Sequence, residues 1–247
     1  MAPDGVEERL GEQVAYYRAR APEYDDWWER RNGYDFGPEF EASWRAEVAA
    51  LDLALERFGP TGRVLELAAG TGIFTAQLLR HATQVTAVDA SPEALALNSA
   101  RNGTERVEHV VADLFAWDPP RRFDHVCFTF WISHVPAARW AGFWSVVERA
   151  LAPGGRVWFC DNARADHAGR HGPLVVAGRG DARRPDGVEN SERVLRDGRQ
   201  FTIVKRYWAP AELQTELVGL GWSPHCANTT WAFIFGDAER ASSRRVP

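Results

Sequence analysis

At 247 residues, 45% hydrophobic and 26% charged, the chain has the size and balance of one large globular domain. Its net charge of −5 gives no electrostatic reason to expect nucleic acid or an anionic membrane as a partner, and no apolar run reaches bilayer length. The polar, acidic start lacks a secretory pattern. Cys127, Cys160 and Cys226 lack metal-ligand spacing, so buried thiols in a cytoplasmic protein are expected.

Leu10, Val14 and Tyr17 at helical spacing predict a helix over Val6–Arg20, which Pro22 ends. Adjacent Trp27 and Trp28 point in different directions on any regular element. A lid over a pocket would use both; packing on the next helix is the alternative. Gly33 and Gly37-Pro38 mark loops, and Glu39–Phe58 reads as a second helix. Residues 1–60 are expected to form a helical lid belonging to the same domain as a 61–247 core.

From Val64 the pattern alternates in βα units. Strands are expected at 64–67, 84–88, 107–111, 123–130 and 156–160, with helices at 73–80, after Ser91-Pro92-Glu93, and at about 137–151. Ser91 reads as an N-cap and Pro92 as the first helical residue. The stretch 162–191 is rich in Gly, Arg and Asp and reads as an inserted cover. Val194–Phe201 reads as a hairpin with Asp197-Gly198 at its tip. A two-residue turn there puts Arg193 and Lys205 on opposite faces. A three-residue loop, Arg196-Asp197-Gly198 with Gly198 left-handed, puts them on one face. Pro210–Leu220 reads as a helix stopped by Gly221, Thr229–Phe235 as the last strand, and 239–247 as a polar tail. The fold class is α/β.

Ligands of open parallel sheets bind outside the carboxyl ends of the strands. Strand one runs out through Glu66, Ala68, Gly70 and Gly72, and the glycines let a ligand approach the main chain. Thr75 stands where a dinucleotide fingerprint needs its third glycine, and Glu66 would repel a pyrophosphate but attract a cationic ligand. A purely structural Glu66 is the alternative. Strand two ends at Asp89-Ala90, where a carboxylate can accept from both ribose hydroxyls. Strand three ends at Asp113-Leu114, which can accept from an adenine amino group and clamp its ring. Strand four runs into Phe130-Trp131-Ile132-Ser133-His134-Val135-Pro136. Phe130 and Trp131 are placed to line a ligand. His134 is the general-base candidate, with capping or a cofactor contact as the alternative.

Glu66-x-Ala68-x-Gly70-x-Gly72 with Asp89 and Asp113-Leu114 resembles the class I S-adenosylmethionine (SAM) methyltransferases, over roughly residues 10 to 236. The resemblance implies a Rossmann-like sheet of seven strands with the last antiparallel beside strand five. It also implies SAM as cofactor, S-adenosylhomocysteine (SAH) as product, and Tyr17, Tyr24, Glu66, Ala68, Gly70, Gly72, Asp89, Ala90, Asp113, Leu114, Phe130 and Trp131 as cofactor contacts. The strings Tyr16-Tyr17-Arg18-Ala19-Arg20-Ala21, Ile132–Pro136 and Asp197–Lys205 resemble more closely the small bacterial O-methyltransferases of natural-product biosynthesis, such as the one that esterifies a phosphonate in dehydrophos biosynthesis. That likeness implies Arg193 and Lys205 as holders of an anionic acceptor, with Trp27, Trp28, Tyr34 and Trp131 as further acceptor walls. The aromatic Trp27–Glu41 stretch and the cover are longer than in that group, pointing to a larger, flatter acceptor.

Two decoys are set aside. Asp118-Pro119-Pro120-Arg121 looks like the Asp-Pro-Pro-Tyr motif of nucleic-acid amino methyltransferases, but precedes strand four and lacks the stacking aromatic. Asp161-Asn162 resembles the metal-binding pair of catechol-type enzymes, but the companion Asp after strand four is missing, so no metal is expected. The expected function is methyl transfer from SAM to an oxygen of a small acceptor in secondary metabolism, such as antibiotic biosynthesis, by a monomer or homodimer. N-methylation of a small amine, and SAM binding without transfer, stay open. A dinucleotide-dependent oxidoreductase is disfavoured by Thr75 and Glu66.

Overall fold

The computed structural model describes residues 4–164 and 190–241. The chain opens with helix α1 (Asp4–Arg20), a 3-10 turn (Ala21–Glu23), α2 (Tyr24–Trp28), a second 3-10 turn (Asn32–Tyr34) and α3 (Pro38–Phe58). Pro38 starts α3, where its missing N–H costs nothing, and Gly59, at φ 62°, closes it in the left-handed conformation. Strands β1 (Arg63–Leu67), β2 (Gln84–Asp89), β3 (Val107–Val111), β4 (Phe123–Thr129) and β5 (Leu151–Asn162) then alternate with α4 (Ile73–Leu78), α5 (Pro92–Asn102) and α6 (Trp140–Ala150). The hairpin β6 (Asn190–Val194) and β7 (Gln200–Val204) precedes α7 (Pro210–Gly219), β8 (Trp222–Asn228) and β9 (Phe233–Arg240).

Seven strands form one sheet in the order β3-β2-β1-β4-β5-β9-β8. The first five are mutually parallel and β9 runs antiparallel beside β5. The direction of winding reverses between β1 and β4, so the strand ends there open a crevice. Because side chains alternate across a strand, Leu65, Leu67, Val126 and Phe128 face a core with α6 and α7, while Val64 and Cys127 face one with α3 and α4. Both faces are covered, which is why β1 reads as an almost unbroken apolar run.

Beyond shifts of one or two residues at element ends, the structure departs from the sequence reading in these places. The last strand is Phe233–Arg240 rather than Thr229–Phe235, and it is preceded by Trp222–Asn228, which the sequence hid because Pro224 argues against a strand. The sheet order places β8 at the edge, where a missing N–H is tolerated. Strand five begins at Leu151, not Arg156, and the first turn of the helix expected from Ala137 is a 3-10 turn, Ala137–Arg139. Most of the inserted cover lies outside the described residues; Asn162 belongs to β5 and Asn190 and Ser191 to β6. Among the described residues no helix is long and apolar enough to cross a membrane, and no cluster of His, Cys, Asp and Glu could hold a metal. All three cysteines are free and buried.

The hairpin adopts the three-residue loop. Leu195 N–H donates to Arg199 O at 2.9 Å, Gly198 has φ 90°, and Arg193 pairs with Phe201. Arg193, Phe201, Ile203 and Lys205 thus share a face. On it, Ile203 and Leu195 pack with Tyr16 of α1. The N-terminal segment, expected to act as a lid, is tied to the rest of the chain by ion pairs: Arg18 to Glu93 at 2.7 Å, Arg101 to Asp25 at 2.5 Å, Arg139 to Glu7, and Arg196 to Glu23 and Asp26.

Candidate functional site

A cavity of about 620 Å³ opens at the carboxyl ends of β1–β4 beneath α1. Tyr17, Tyr24, Ala68, Gly70, Asp89, Ala90, Asp113, Leu114, Phe130, Trp131 and His134 all line it. Each strand end delivers its residue for a local reason. After β1 the chain turns through Ala68 at φ 55° and Gly70 at φ 54°, and after β4 through Phe130 at φ 53°. Left-handed Ala and Phe are strained, and such strain concentrates at functional sites. A Cβ added at Gly70 would meet nothing within 4 Å, so the backbone there is bare toward the cavity. Asp89 is fixed by Gly70 N–H at 2.9 Å and Ser91 N–H at 2.8 Å, and Ser91 in turn caps α5 by accepting from Ala94 N–H at 3.0 Å. Burial raises the Asp89 pKa against these hydrogen bonds. Asp113 accepts from Phe115 N–H at 2.9 Å. The Phe115 and Trp131 rings lie 5.7 Å apart at the same end, and the Trp131 indole N–H is buried without an acceptor.

Glu66 and Gly72 do not line the cavity. Glu66 points to the α4 side, where its carboxylate accepts from Thr75 Oγ1 at 2.5 Å and Asn98 donates to the same hydroxyl at 2.8 Å. Thr75, the residue that spoils the dinucleotide fingerprint, is therefore the partner of the strand acid. Burial pushes the Glu66 carboxyl up to about 8, and its other oxygen, Oε1, is buried with no partner. Gly72 is a packing position: a Cβ there would collide with Asn98 and Asn102.

His134 is buried on the 3-10 turn after β4. Its Nδ1 lies 2.7 Å from Val204 O, and its Nε2 lies 2.7 Å from the Tyr17 hydroxyl. A carbonyl can only accept, so Nδ1 carries the proton and Nε2 presents a lone pair to Tyr17. Gln13 braces both ends, donating to His134 O at 3.3 Å and accepting from Val204 N–H at 3.1 Å. Burial raises the Tyr17 pKa well above its usual value, so the phenol stays protonated.

Of the expected acceptor residues, Trp131 lines this cavity, while Trp27, Trp28, Tyr34, Arg193 and Lys205 do not. Trp27 and Trp28 join an aromatic cluster with Trp44, Phe74, Phe130 and Phe233, and border a small side pocket with Tyr24 and Gly70. Lys205 is buried in an ion pair with Asp161 at 3.2 Å and donates to Ser133 Oγ at 2.7 Å, while Ser133 N–H donates to the same carboxylate at 3.0 Å. The Asp161 set aside as a metal decoy is thus the counter-ion of the lysine expected to hold an anion. Arg193 donates to Ser191 Oγ and, at 3.1 Å, to Glu192 O. Tyr34 accepts from Arg20 Nη2 at 3.4 Å. Sequence reasoning missed Arg20 and Tyr16, whose 2.7 Å contact was signalled by their four-residue spacing on one helix face.

The cradle fits an adenosyl ligand. A bare Gly70, an Asp at each of the next two strand ends and apolar ring clamps suit a ribose and a base better than a pyrophosphate.

Residues 64–155 match a family model described as a methyltransferase domain. A demethylmenaquinone methyltransferase of Tropheryma whipplei is 34% identical over 101 residues, covering 40% of this chain and 41% of that protein; the match thus spans less than half of that curated relative. The solved complex of DhpI with SAH is 35% identical with a TM-score of 0.72, covering 95% of this chain and 98% of that one. A DhpI–SAM–HEP complex is 36% identical with a TM-score of 0.73, over 94% and 97%. A 1,6-didemethyltoxoflavin-N1-methyltransferase of Burkholderia thailandensis shares the fold at 20% identity and a TM-score of 0.60, over 98% of this chain and 92% of that one.

Proposed function

This chain belongs to the class I SAM-dependent methyltransferases, and on that premise we propose that it methylates an oxygen of a small-molecule acceptor in secondary metabolism, with the proton of that oxygen passing through Tyr17 to His134. The observation that carries this reading is the 2.7 Å contact between the Nε2 lone pair and a phenol in the cavity wall.

When bound, SAM supplies a methyl group on a positively charged sulfur, which keeps the bonding electron pair as the new carbon–oxygen bond forms. The chain's own residues do the rest. Asp89 offers a fixed carboxylate to a ribose, Asp113, Leu114 and Phe115 a slot for a base, and Gly70 and Ala68 bare backbone beside them. The lid excludes water, which favours alignment and strengthens every polar contact inside. As the acceptor oxygen becomes an ether or ester oxygen, its proton moves to Tyr17 O while the Tyr17 proton moves to His134 Nε2. The resulting imidazolium is held by Val204 O through Nδ1–H. Lys205 adds no free positive charge, because Asp161 neutralises it.

The test is a screen with SAM against phenols, hydroxy acids, carboxylates, phosphonates and primary amines, with products identified by mass. O-methyl products support the proposal. Products from amines alone overturn it in favour of N-methylation.

A further inference from the structure

The reacting end of the cavity asks for a proton. Tyr17 directs its own to His134 Nε2 at 2.7 Å, and Val204 O takes Nδ1–H. What the Tyr17 oxygen has left to offer an acceptor is therefore lone pairs. A hydroxyl can donate to them. A carboxylate or phosphonate oxygen that has already lost its proton meets them lone pair to lone pair, and gives the Tyr17–His134 pair nothing to carry.

The rest of the wall has the same bias. Among the described residues its charged side chains are Glu7, Asp89 and Asp113, and no Lys or Arg lines it. The two aspartates belong to the nucleoside end, and Glu7 is paired with Arg139. An anion seated between these ends gives up its water without gaining a counter-ion from the lining. What surrounds the space near His134 is aromatic or apolar. The Trp131 ring lies 6.5 Å from the His134 ring and 5.7 Å from Phe115. Leu10 and Val14 line the same cavity, with Val111 58% exposed at its lip.

Gly11 is an independent observation. It sits inside α1, where glycine is the poorest helix former after proline, and it too lines the cavity. Neither backbone nor packing requires it. Its conformation is ordinary helix, and a Cβ there would meet nothing within 4 Å. The missing side chain leaves the cavity wider under its roof.

We propose that the acceptor is an uncharged phenol, its ring lying between Trp131 and the face of α1 that carries Leu10, Gly11 and Val14, and that Gly11 sets how long a ring system fits. The inference rests on the O-methyl reading above and names its substrate class. The phenol oxygen forms the new carbon–oxygen bond, the carbon–sulfur bond breaks with its electron pair left on sulfur, and the phenol proton goes to the Tyr17–His134 pair.

The full chain, saturated with SAH at pH 7, is titrated with 2-naphthol and separately with 2-naphthoate, binding being followed by ligand-observed NMR. The two probes share a ring system and differ in charge. The naphthol is expected to bind about tenfold tighter or more. Gly11→Leu puts a good helix former into open space, so the melting temperature should not fall; naphthol binding should weaken about tenfold or more, with SAH binding within about a factor of three. Gly11→Ala should lie in between, and it decides if Gly11→Leu does not fold. A complex that takes neither probe, or takes naphthoate as tightly as naphthol, overturns the inference. So does a Gly11 variant that binds naphthol like the wild type, or one that loses SAH to the same extent. Failure of the wild type to bind SAH overturns the methyltransferase reading instead, and amine-only products in the acceptor screen overturn the oxygen reading.

Discussion

The two ends of the cavity are built by different means. The cofactor end is made of strand termini: Asp89 held by two backbone N–H groups, Asp113 by one, and Gly70 with no side chain. The other end, which the proposed function gives to the acceptor, is made of side chains from separate elements: Gln13 and Tyr17 from α1, Tyr24 from α2 and His134 after β4. The first is set by local chain geometry and belongs to the scaffold. The second exists only when lid, hairpin and sheet are assembled. Chemistry shared across a family is placed on rigid elements, and specificity on parts that can be exchanged.

The largest effect that sharpens the contrast lies behind the acceptor end. Lys205→Met leaves Asp161 buried without its counter-ion and should cost about 3–5 kcal/mol of stability, read by urea unfolding, with much of it restored by adding Asp161→Asn. A cost below 1 kcal/mol would mean that Lys205 is not structural and is available to a ligand. At the cofactor end, Asp89→Ala removes a charged acceptor for two hydroxyls and should weaken SAH binding roughly 100-fold by calorimetry; an unchanged affinity breaks the assignment of the strand-end acids. Tyr17→Phe interrupts the path to His134 while keeping the ring. It should lower kcat about 10- to 100-fold on an O–H acceptor and flatten the pH profile near neutrality, leaving the melting temperature nearly unchanged. A kcat unaffected at every pH would reduce the contact to a lid clasp.

The smallest effect is a pH dependence. The folded Glu66 carboxyl titrates near 8, above its unfolded value of 4.5, so the native state holds a proton that the unfolded chain has released. The Glu66 contribution is fully present below about pH 4.5 and is lost as pH rises through about 8. Thermal melts at pH 5 and pH 8 should show the wild type falling relative to Glu66→Gln across that window; parallel behaviour would show that Glu66 is already ionised in the fold.

The same division explains what the sequence made legible. The glycine turn, Asp89, Ser91 and Asp113 sit at strand ends or caps, where spacing along the chain dictates position. The hairpin was legible as two alternatives, and Gly198 selected the one that gathers Arg193 and Lys205 on a single face. Lys205 and Asp161 stand 44 residues apart, and nothing local announces that they neutralise each other. Trp27 and Trp28 answer to a cluster drawn from α3, α4, β9 and Phe130 just after β4, which no periodicity on their own short helix encodes. Arg20 left one trace of its contact with Tyr16, their four-residue step; its contact with Tyr34 is purely tertiary.

The lid's ion pairs attach it to the loops that frame the cofactor end. Arg18 grips Glu93 beside the Ser91 cap, and Asp25 takes Thr71 Oγ1 at 2.5 Å between the two glycines while Arg101 holds its other oxygen. Because α1 roofs the cavity, exchange of a nucleoside-sized molecule works against these contacts in every turnover. They are partly exposed to solvent, and dissolved ions screen such pairs. Ionic strength is therefore expected to act on how fast the used cofactor departs more than on the methyl transfer itself.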